Sequence, residues 1–192
     1  MSLWDFKAIG YGSLRSSIFT RWILSHEMKL LKGLMDQQRL RPAVAMDIGT
    51  GVGAGLDIYS SGTTVIGLDR SWPMLRRGRK QARLIGIVGD ALSLPFLEGS
   101  VPFVSSIGLT EYLSNKPAFL REVKRVLYKE GRFLVTIARP NIWNGLRCLL
   151  GHRIRMIRPH LWTVMTRDEG FVCLAQARTF LQSQYLFQVV DD

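Results

Sequence analysis

The run Met46-Asp47-Ile48-Gly49-Thr50-Gly51-Val52-Gly53 decides how the chain is read: an apolar segment carries an acid near its end and breaks into a glycine-rich turn. Ala43 to Ile48 is almost continuously apolar, as a strand buried on both faces of a parallel sheet must be. Glycines at a strand end let the backbone turn tightly and leave its amides open to a ligand. Taken as Gly49, Gly51 and Ala54, the turn satisfies the dinucleotide-binding fingerprint, with Asp69 at about the twenty-residue distance of a ribose-binding acid. Alone, the motif is equally a tight turn of any α/β protein.

Working outward, short apolar runs alternate with helical patterns. Thr64 to Leu68, Leu84 to Val88, Phe103 to Ile107 and Arg132 to Ala138 read as four more strands. Helices are expected shortly after Val52, over Pro73 to Ala82 and over Pro117 to Leu127. The last has Asn115 as its cap, and it sets Phe119, Leu120, Val123, Val126 and Leu127 opposite Arg121, Glu122, Lys124 and Arg125. A short helix, Thr163 to Glu169, precedes Phe171 to Ala177 and Leu186 to Val190, which read as an antiparallel pair. Leu14 to Gln38 repeats apolar residues at helical spacing until Arg41-Pro42 stops it. The pattern predicts an α/β fold with a doubly wound, mostly parallel seven-stranded sheet and a C-terminal antiparallel strand. Its ligand should sit at the carboxyl ends of the strands. At 192 residues one domain is expected, with 1-42 as an N-terminal helical cap.

Spacing adds to the glycine turn. Asp69 ends the second strand in Gly67-Leu68-Asp69-Arg70-Ser71-Trp72-Pro73-Met74, where a carboxylate can accept two hydrogen bonds from a ribose diol. Asp90 follows the third strand in Gly89-Asp90-Ala91-Leu92, so three acids at successive strand ends should line one crevice. From about Ala43 to Pro140 the chain resembles the class I S-adenosylmethionine-dependent methyltransferases, especially the branch with small-molecule and quinone-biosynthesis enzymes, and so implies a Rossmann-like methyltransferase fold. By that resemblance Gly49, Thr50, Gly51 and Gly53 hold the methionine and ribose portion of S-adenosylmethionine, with Asp47 near its amino group. Asp69 takes the ribose hydroxyls, Asp90 and the Ala91 amide take the adenine, and Arg70, Met74 and Ile107 complete the cofactor-binding set. Ser106-Ile107-Gly108-Leu109 resembles the segment beside the methyl donor. Val101-Pro102 departs from the usual aromatic and acid before the fourth strand.

Methyl transfer from a sulfonium needs alignment more than acid-base chemistry, so a general base is optional. Glu111, Tyr112 and Tyr11 are the catalytic candidates, each with a structural or packing role as the alternative. His26, His152 and His160 read as surface or packing residues. The family commonly covers its substrate near residues 139-162, a basic insertion here. In it, Trp143, Leu146, Leu150, Ile154 and Ile157 follow helical spacing beside Arg147, Arg153, Arg155 and Arg158. Such a stretch suits an anionic membrane surface or an amphipathic substrate; a helix packed on the core with a solvated basic face is the alternative.

The hydrophobic share of 47% and charged share of 21% fit a folded protein rather than a disordered one. The formal net charge of +11 implies an anionic partner or surface. Arg70, Arg76, Arg77, Arg79, Lys80 and Arg83 lie in an acid-free stretch, as do Arg132, Arg139, Arg147, Arg153, Arg155, Arg158 and Arg167. Nucleic acid is ranked below a small or amphipathic molecule, because no added RNA-binding module or base-methylating Asn-Pro-Pro-Tyr signature follows the fourth strand. An RNA methyltransferase, an NAD-dependent oxidoreductase and a non-catalytic cofactor-binding protein stay as alternatives. No apolar run is long enough to span a bilayer, Asp5 and Lys7 interrupt any leader-like core, and Cys148 and Cys173 form no disulfide or metal framework. A cytoplasmic location and no metal site are therefore expected.

Overall fold

The computed structural model describes residues 18–78, 83–149 and 153–190. Tyr11, Arg79, Lys80 and His152 lie outside the described residues. Seven strands are present: β1 Val44–Ile48, β2 Thr64–Asp69, β3 Leu84–Val88, β4 Val101–Ser106, β5 Leu127–Ala138, β6 Phe171–Arg178 and β7 Gln182–Val189. They form one sheet in the order β3-β2-β1-β4-β5-β7-β6. β1 to β5 run parallel, and β7 is antiparallel to both β5 and β6. The winding reverses between β1 and β4, the topological switch point at which open α/β sheets bind ligands.

Five helices are described: α1 Ile18–Gln37, α2 Trp72–Gly78, α3 Lys116–Val126, α4 Ile142–Leu149 and α5 Pro159–Asp168. Alternate strand residues point to opposite faces, and both faces are covered. Met46, Ile48, Val104, Phe133 and Val135 bury with Phe119, Leu120 and Val123 of α3 and Trp162 of α5. Ala45, Val65, Phe103, Leu134 and Leu186 bury with Leu31, Leu34 and Met35 of α1. The apolar stripe of α3 and its cap are as read, with the Asn115 side chain accepting from the Ala118 amide at 3.0 Å.

Departures from the sequence reading have local causes. β4 begins at Val101 rather than Phe103, and β5 begins at Leu127 rather than Arg132. Val101 pairs with Leu127 and Phe103 with Arg132, so a bulge absorbs the intervening residues and the proline. β7 starts at Gln182, four residues early, because Gln182, Ser183 and Gln184 continue the antiparallel ladder opposite Ala138, Ile137 and Thr136, where they are buried. Gln184 donates to the Glu27 carbonyl of α1 at 3.0 Å, which gives its buried amide NH₂ a partner. The helix expected after Val52 is a single 3-10 turn, Leu56–Ile58. α5 starts at Pro159, which suits its first turn, rather than at Thr163. In the 139-162 insertion the helix covers Ile142–Leu149, whereas residues 153–158 are not helical. That segment is tied down by Arg155 N donating to Glu111 O at 2.6 Å and Ile157 N donating to Ala138 O at 3.0 Å.

Candidate functional site

The carboxyl ends of β1, β2, β3 and β4 open into a cleft of about 1320 Å³. Single drug-sized ligands occupy roughly 300–1,000 Å³, so this cleft has room for two molecules. Its floor is the glycine turn. Gly49 and Thr50 amides donate to the Leu68 carbonyl at 2.7 and 3.1 Å, fastening the turn to the tip of β2. Gly49 has φ +78°, and a Cβ there would lie 2.8 Å from Leu109 Cβ, so only glycine fits. Gly51 and Ala54 line the cleft; Gly53 does not, and its amide closes the turn on Thr50 O at 2.8 Å.

Asp69 organises the next wall. Its Oδ2 accepts from the Gly51 amide and its Oδ1 from the Ser71 amide, both at 2.8 Å. Each oxygen keeps a further lone pair for a ligand hydroxyl. Arg70 and Met74 line the cleft beside it. Asp90 Oδ1 accepts from Leu92 N at 3.0 Å, with the buried Ala91 next to it. Arg70 approaches Asp90 at 3.9 Å, a solvent-exposed pair of little energetic weight.

Asp47 is the most constrained acid. It is 3% exposed, and its register partner on β4, Ser105, donates to its Oδ1. Ser105 in turn accepts from the Tyr59 hydroxyl at 2.7 Å. Burial raises the Asp47 pKa to about 6 against the opposing effect of Ser105 and of the nearby Thr50 hydroxyl, while the Asp69 charge adds to the rise. The buried Thr50 hydroxyl makes no hydrogen bond of regular geometry among the described residues. Burial, and then the Asp47 charge, push the Tyr59 phenol well above its usual range, so it stays a donor. Sequence reasoning missed Tyr59 and Ser105; the available signal was Ser105-Ser106 interrupting an apolar strand beside the one that carries Asp47.

The turn after β4 forms the fourth wall, with Ile107, Gly108, Leu109, Glu111 and Tyr112 on the cleft. Thr136, also missed, pins it by accepting from Gly108 N at 2.8 Å and by taking the Thr110 hydroxyl on its carbonyl at 2.7 Å. Glu111 is buried and bonded to Arg147 Nη2 at 2.8 Å. Burial opposes the Arg147 charge, but the charge and hydrogen bond of Glu111 outweigh it and hold the guanidinium protonated. Arg147 also donates to Asn144 Oδ1 at 2.8 Å, and the fully buried Asn144 donates to the carbonyls of Arg139 and Leu181 at 2.9 and 2.7 Å. This clasp ties α4 to the body of the domain. His26 stacks on Trp22 with centroids 5.9 Å apart, and neither His26 nor His160 lines the cleft. Among the described residues no group of His, Cys, Asp or Glu is arranged to hold a metal ion.

The roof is apolar with a basic edge. Ser25, Met28, Lys29 and Lys32 form one stripe of α1, facing Trp143 and Leu146 of α4 and Phe180 of the β6–β7 turn. The Trp143 and Phe180 rings lie 4.9 Å apart.

Residues 46–135 match the family described as "Methyltransferase domain", a span that holds the glycine turn, all three strand-end acids and the segment after β4. This matched span is a class I S-adenosylmethionine-dependent methyltransferase domain. The chain is 31% identical over 132 residues to a demethylmenaquinone methyltransferase of Corynebacterium kroppenstedtii, covering 68% of this chain and 56% of that protein. It spans 22% to 62% of the length of the curated relatives it matches. Solved structures that share its fold include two that cover nearly the whole chain. One is a complex of the Haloferax volcanii Trm112 methyltransferase activator with a methyltransferase, with TM-score 0.81, 19% identity, and 100% of this chain and 99% of that chain covered. The other is magnesium protoporphyrin IX methyltransferase from Synechocystis PCC 6803 with bound SAH, with TM-score 0.75, 17% identity, and 97% and 96% covered. S-adenosylmethionine is the cofactor of this family.

Proposed function

We propose that this methyltransferase moves the methyl group of S-adenosylmethionine onto a small or amphipathic molecule by in-line displacement. The observation that carries the reading is the continuity of one cleft, in which the three strand-end acids share a floor with an apolar antechamber under Trp143, Leu146 and Phe180. The cofactor supplies an electrophilic methyl on a sulfonium, so the protein's task is alignment and exclusion of water.

The residues fit that cofactor. Asp47 and the buried Thr50 hydroxyl beside it offer a desolvated acceptor pair for its ammonium group. The turn at Gly49 and Gly51 admits the ligand backbone-close, Asp69 accepts the ribose hydroxyls, and Asp90 with the Ala91 amide reads the adenine edge. Ile107 and Leu109 form the wall beside the reacting methyl, and Trp143, Leu146 and Phe180 keep water from the acceptor side. The relatives named for demethylmenaquinone support an acceptor of small-molecule size.

Glu111 is a positioning residue in this scheme, since its carboxylate is already engaged by Arg147. Glu111→Gln is expected to lower stability by about 1–3 kcal/mol, the cost of weakening a charge-assisted hydrogen bond at a buried site. Turnover should stay within about tenfold of the parent with the same pH profile; a loss of about a hundredfold or more together with one pH limb would make Glu111 a general base. The function itself is tested by S-adenosylhomocysteine release against a library of quinol, phenol, carboxylate and amine acceptors. Turnover with a subset supports the proposal. Cofactor binding without turnover on any acceptor argues for a non-catalytic cofactor-binding protein.

A further inference from the structure

A helix laid on a protein core turns its apolar stripe inward and its polar face to water. α4 does the reverse. Its buried side is polar: Asn144 is fully enclosed on two backbone carbonyls, and Arg147 reaches inward to Glu111. Its outer side is apolar: Ile142, Leu146 and Leu149, spaced by four and then three residues, are 82%, 45% and 85% exposed. The helix cannot roll to hide that stripe without breaking the Asn144 and Arg147 hydrogen bonds. Exposed parts of Trp143 and Phe180 extend the apolar surface to the mouth of the cleft.

The surroundings of the stripe are cationic. The segment after α4 carries the exposed Arg153, Arg155 and Arg158, and the bond from Arg155 N to Glu111 O sets it beside the clasp. Lys29 and Lys32 of α1 border the same cleft. Among the described residues no acid forms an ion pair with any of these five.

We propose that α4 and this basic rim are a docking face for an anionic lipid bilayer, with the cleft mouth held against the membrane surface. An apolar stripe that enters the acyl boundary while arginines and lysines meet headgroup phosphates is the pattern of an interfacial helix. The charge complementarity selects a bilayer over a neutral apolar protein surface, which would leave the rim unmatched. No described helix is long and apolar enough to cross a membrane, so the contact is peripheral. Resting on the methyl-transfer reading, the face also names a substrate class: an amphipathic acceptor that passes from the lipid phase under Trp143 and Phe180 into the cleft.

The test is flotation of the full chain with vesicles of mixed phosphatidylglycerol and phosphatidylcholine, and with phosphatidylcholine alone. Flotation with the anionic vesicles, weakened by salt, is expected. The double variant Ile142→Ser, Leu149→Ser alters two side chains that do not line the cleft, and should reduce partitioning roughly tenfold or more. Its affinity for S-adenosylmethionine, measured by calorimetry, should match the parent and shows that the variant is folded. Failure of the parent chain to float with either vesicle, or equal flotation of parent and variant, overturns the docking face. So does a self-associated parent that the double variant returns to monomer without any vesicle binding, which would assign the stripe to a second copy. Cofactor binding and turnover in solution are read separately, so a failed flotation leaves the methyl-transfer reading standing, and a failed cofactor titration leaves the docking result standing.

Discussion

Asp47→Asn is expected to make the unliganded protein more stable at neutral pH and to destroy most of its affinity for S-adenosylmethionine. Asp47 is buried with a pKa of about 6 against 3.8 for a free side chain, so its ionised form is disfavoured by folding. The sign follows from proton uptake: a carboxyl whose folded pKa is raised favours the native state fully below the unfolded pKa, and that contribution is lost as pH rises through the folded value. Near pH 4 parent and variant should have similar stability. Above about pH 6 the variant should gain, by about 2–3 kcal/mol, the equivalent of the shift. The introduced amide can still accept from Ser105 and can donate to the Thr50 hydroxyl, which has no regular partner now. Urea unfolding of both proteins across this pH range gives the difference directly. The same charge is proposed to face the cofactor's ammonium, so affinity should fall by roughly a hundredfold, about the worth of one desolvated charged hydrogen bond. A variant less stable than the parent at pH 7, or one that binds the cofactor as well, contradicts this account of Asp47.

Asp69→Asn should be nearly as damaging to binding, for a different reason. Both carboxylate oxygens already accept backbone amides, one from the glycine turn and one from Ser71. An asparagine has a single acceptor oxygen, so its NH₂ group must face one of those N–H groups, donor against donor. Either the Gly51 turn is released or the Ser71 loop is, and the ribose loses an anionic acceptor as well. Two charged hydrogen bonds are affected, each worth about 1.5–3 kcal/mol, and a loss of affinity of a hundredfold or more is expected. Isothermal titration with S-adenosylmethionine measures it; an affinity within about threefold of the parent would show that Asp69 does not organise the site.

The parts of this architecture that local patterning encodes were legible from sequence. β1, β2 and β3 are apolar runs closed by turn residues, and the acids at or beside their ends needed only strand ends to be placed. The first residues of β7 are polar, so Gln182-Ser183-Gln184 carries no apolar strand signal; they are strand because they pair with Ala138, Ile137 and Thr136 of β5, and Gln184 is satisfied there by the distant Glu27 carbonyl. Tyr59 has no local signal at all, and the Ser105-Ser106 break in an apolar run acquires its meaning only once β1 and β4 are neighbours. α4 shows another limit. Helical spacing tells which residues share a face, and it groups Trp143 and Leu146 with Leu150, Ile154 and Ile157. It does not tell which face is turned inward, and here buried Asn144 and Glu111 reverse the expected arrangement.

We propose that the strand-end acids and the glycine turn hold an adenosyl sulfonium cofactor. Calorimetric titration of the full chain at neutral pH with S-adenosylmethionine, S-adenosylhomocysteine and NAD tests it most directly. One-to-one binding of both adenosyl compounds in the micromolar range is expected, with no comparable binding of NAD. Absence of heat from either adenosyl compound up to millimolar concentration, with NAD bound instead, would contradict it.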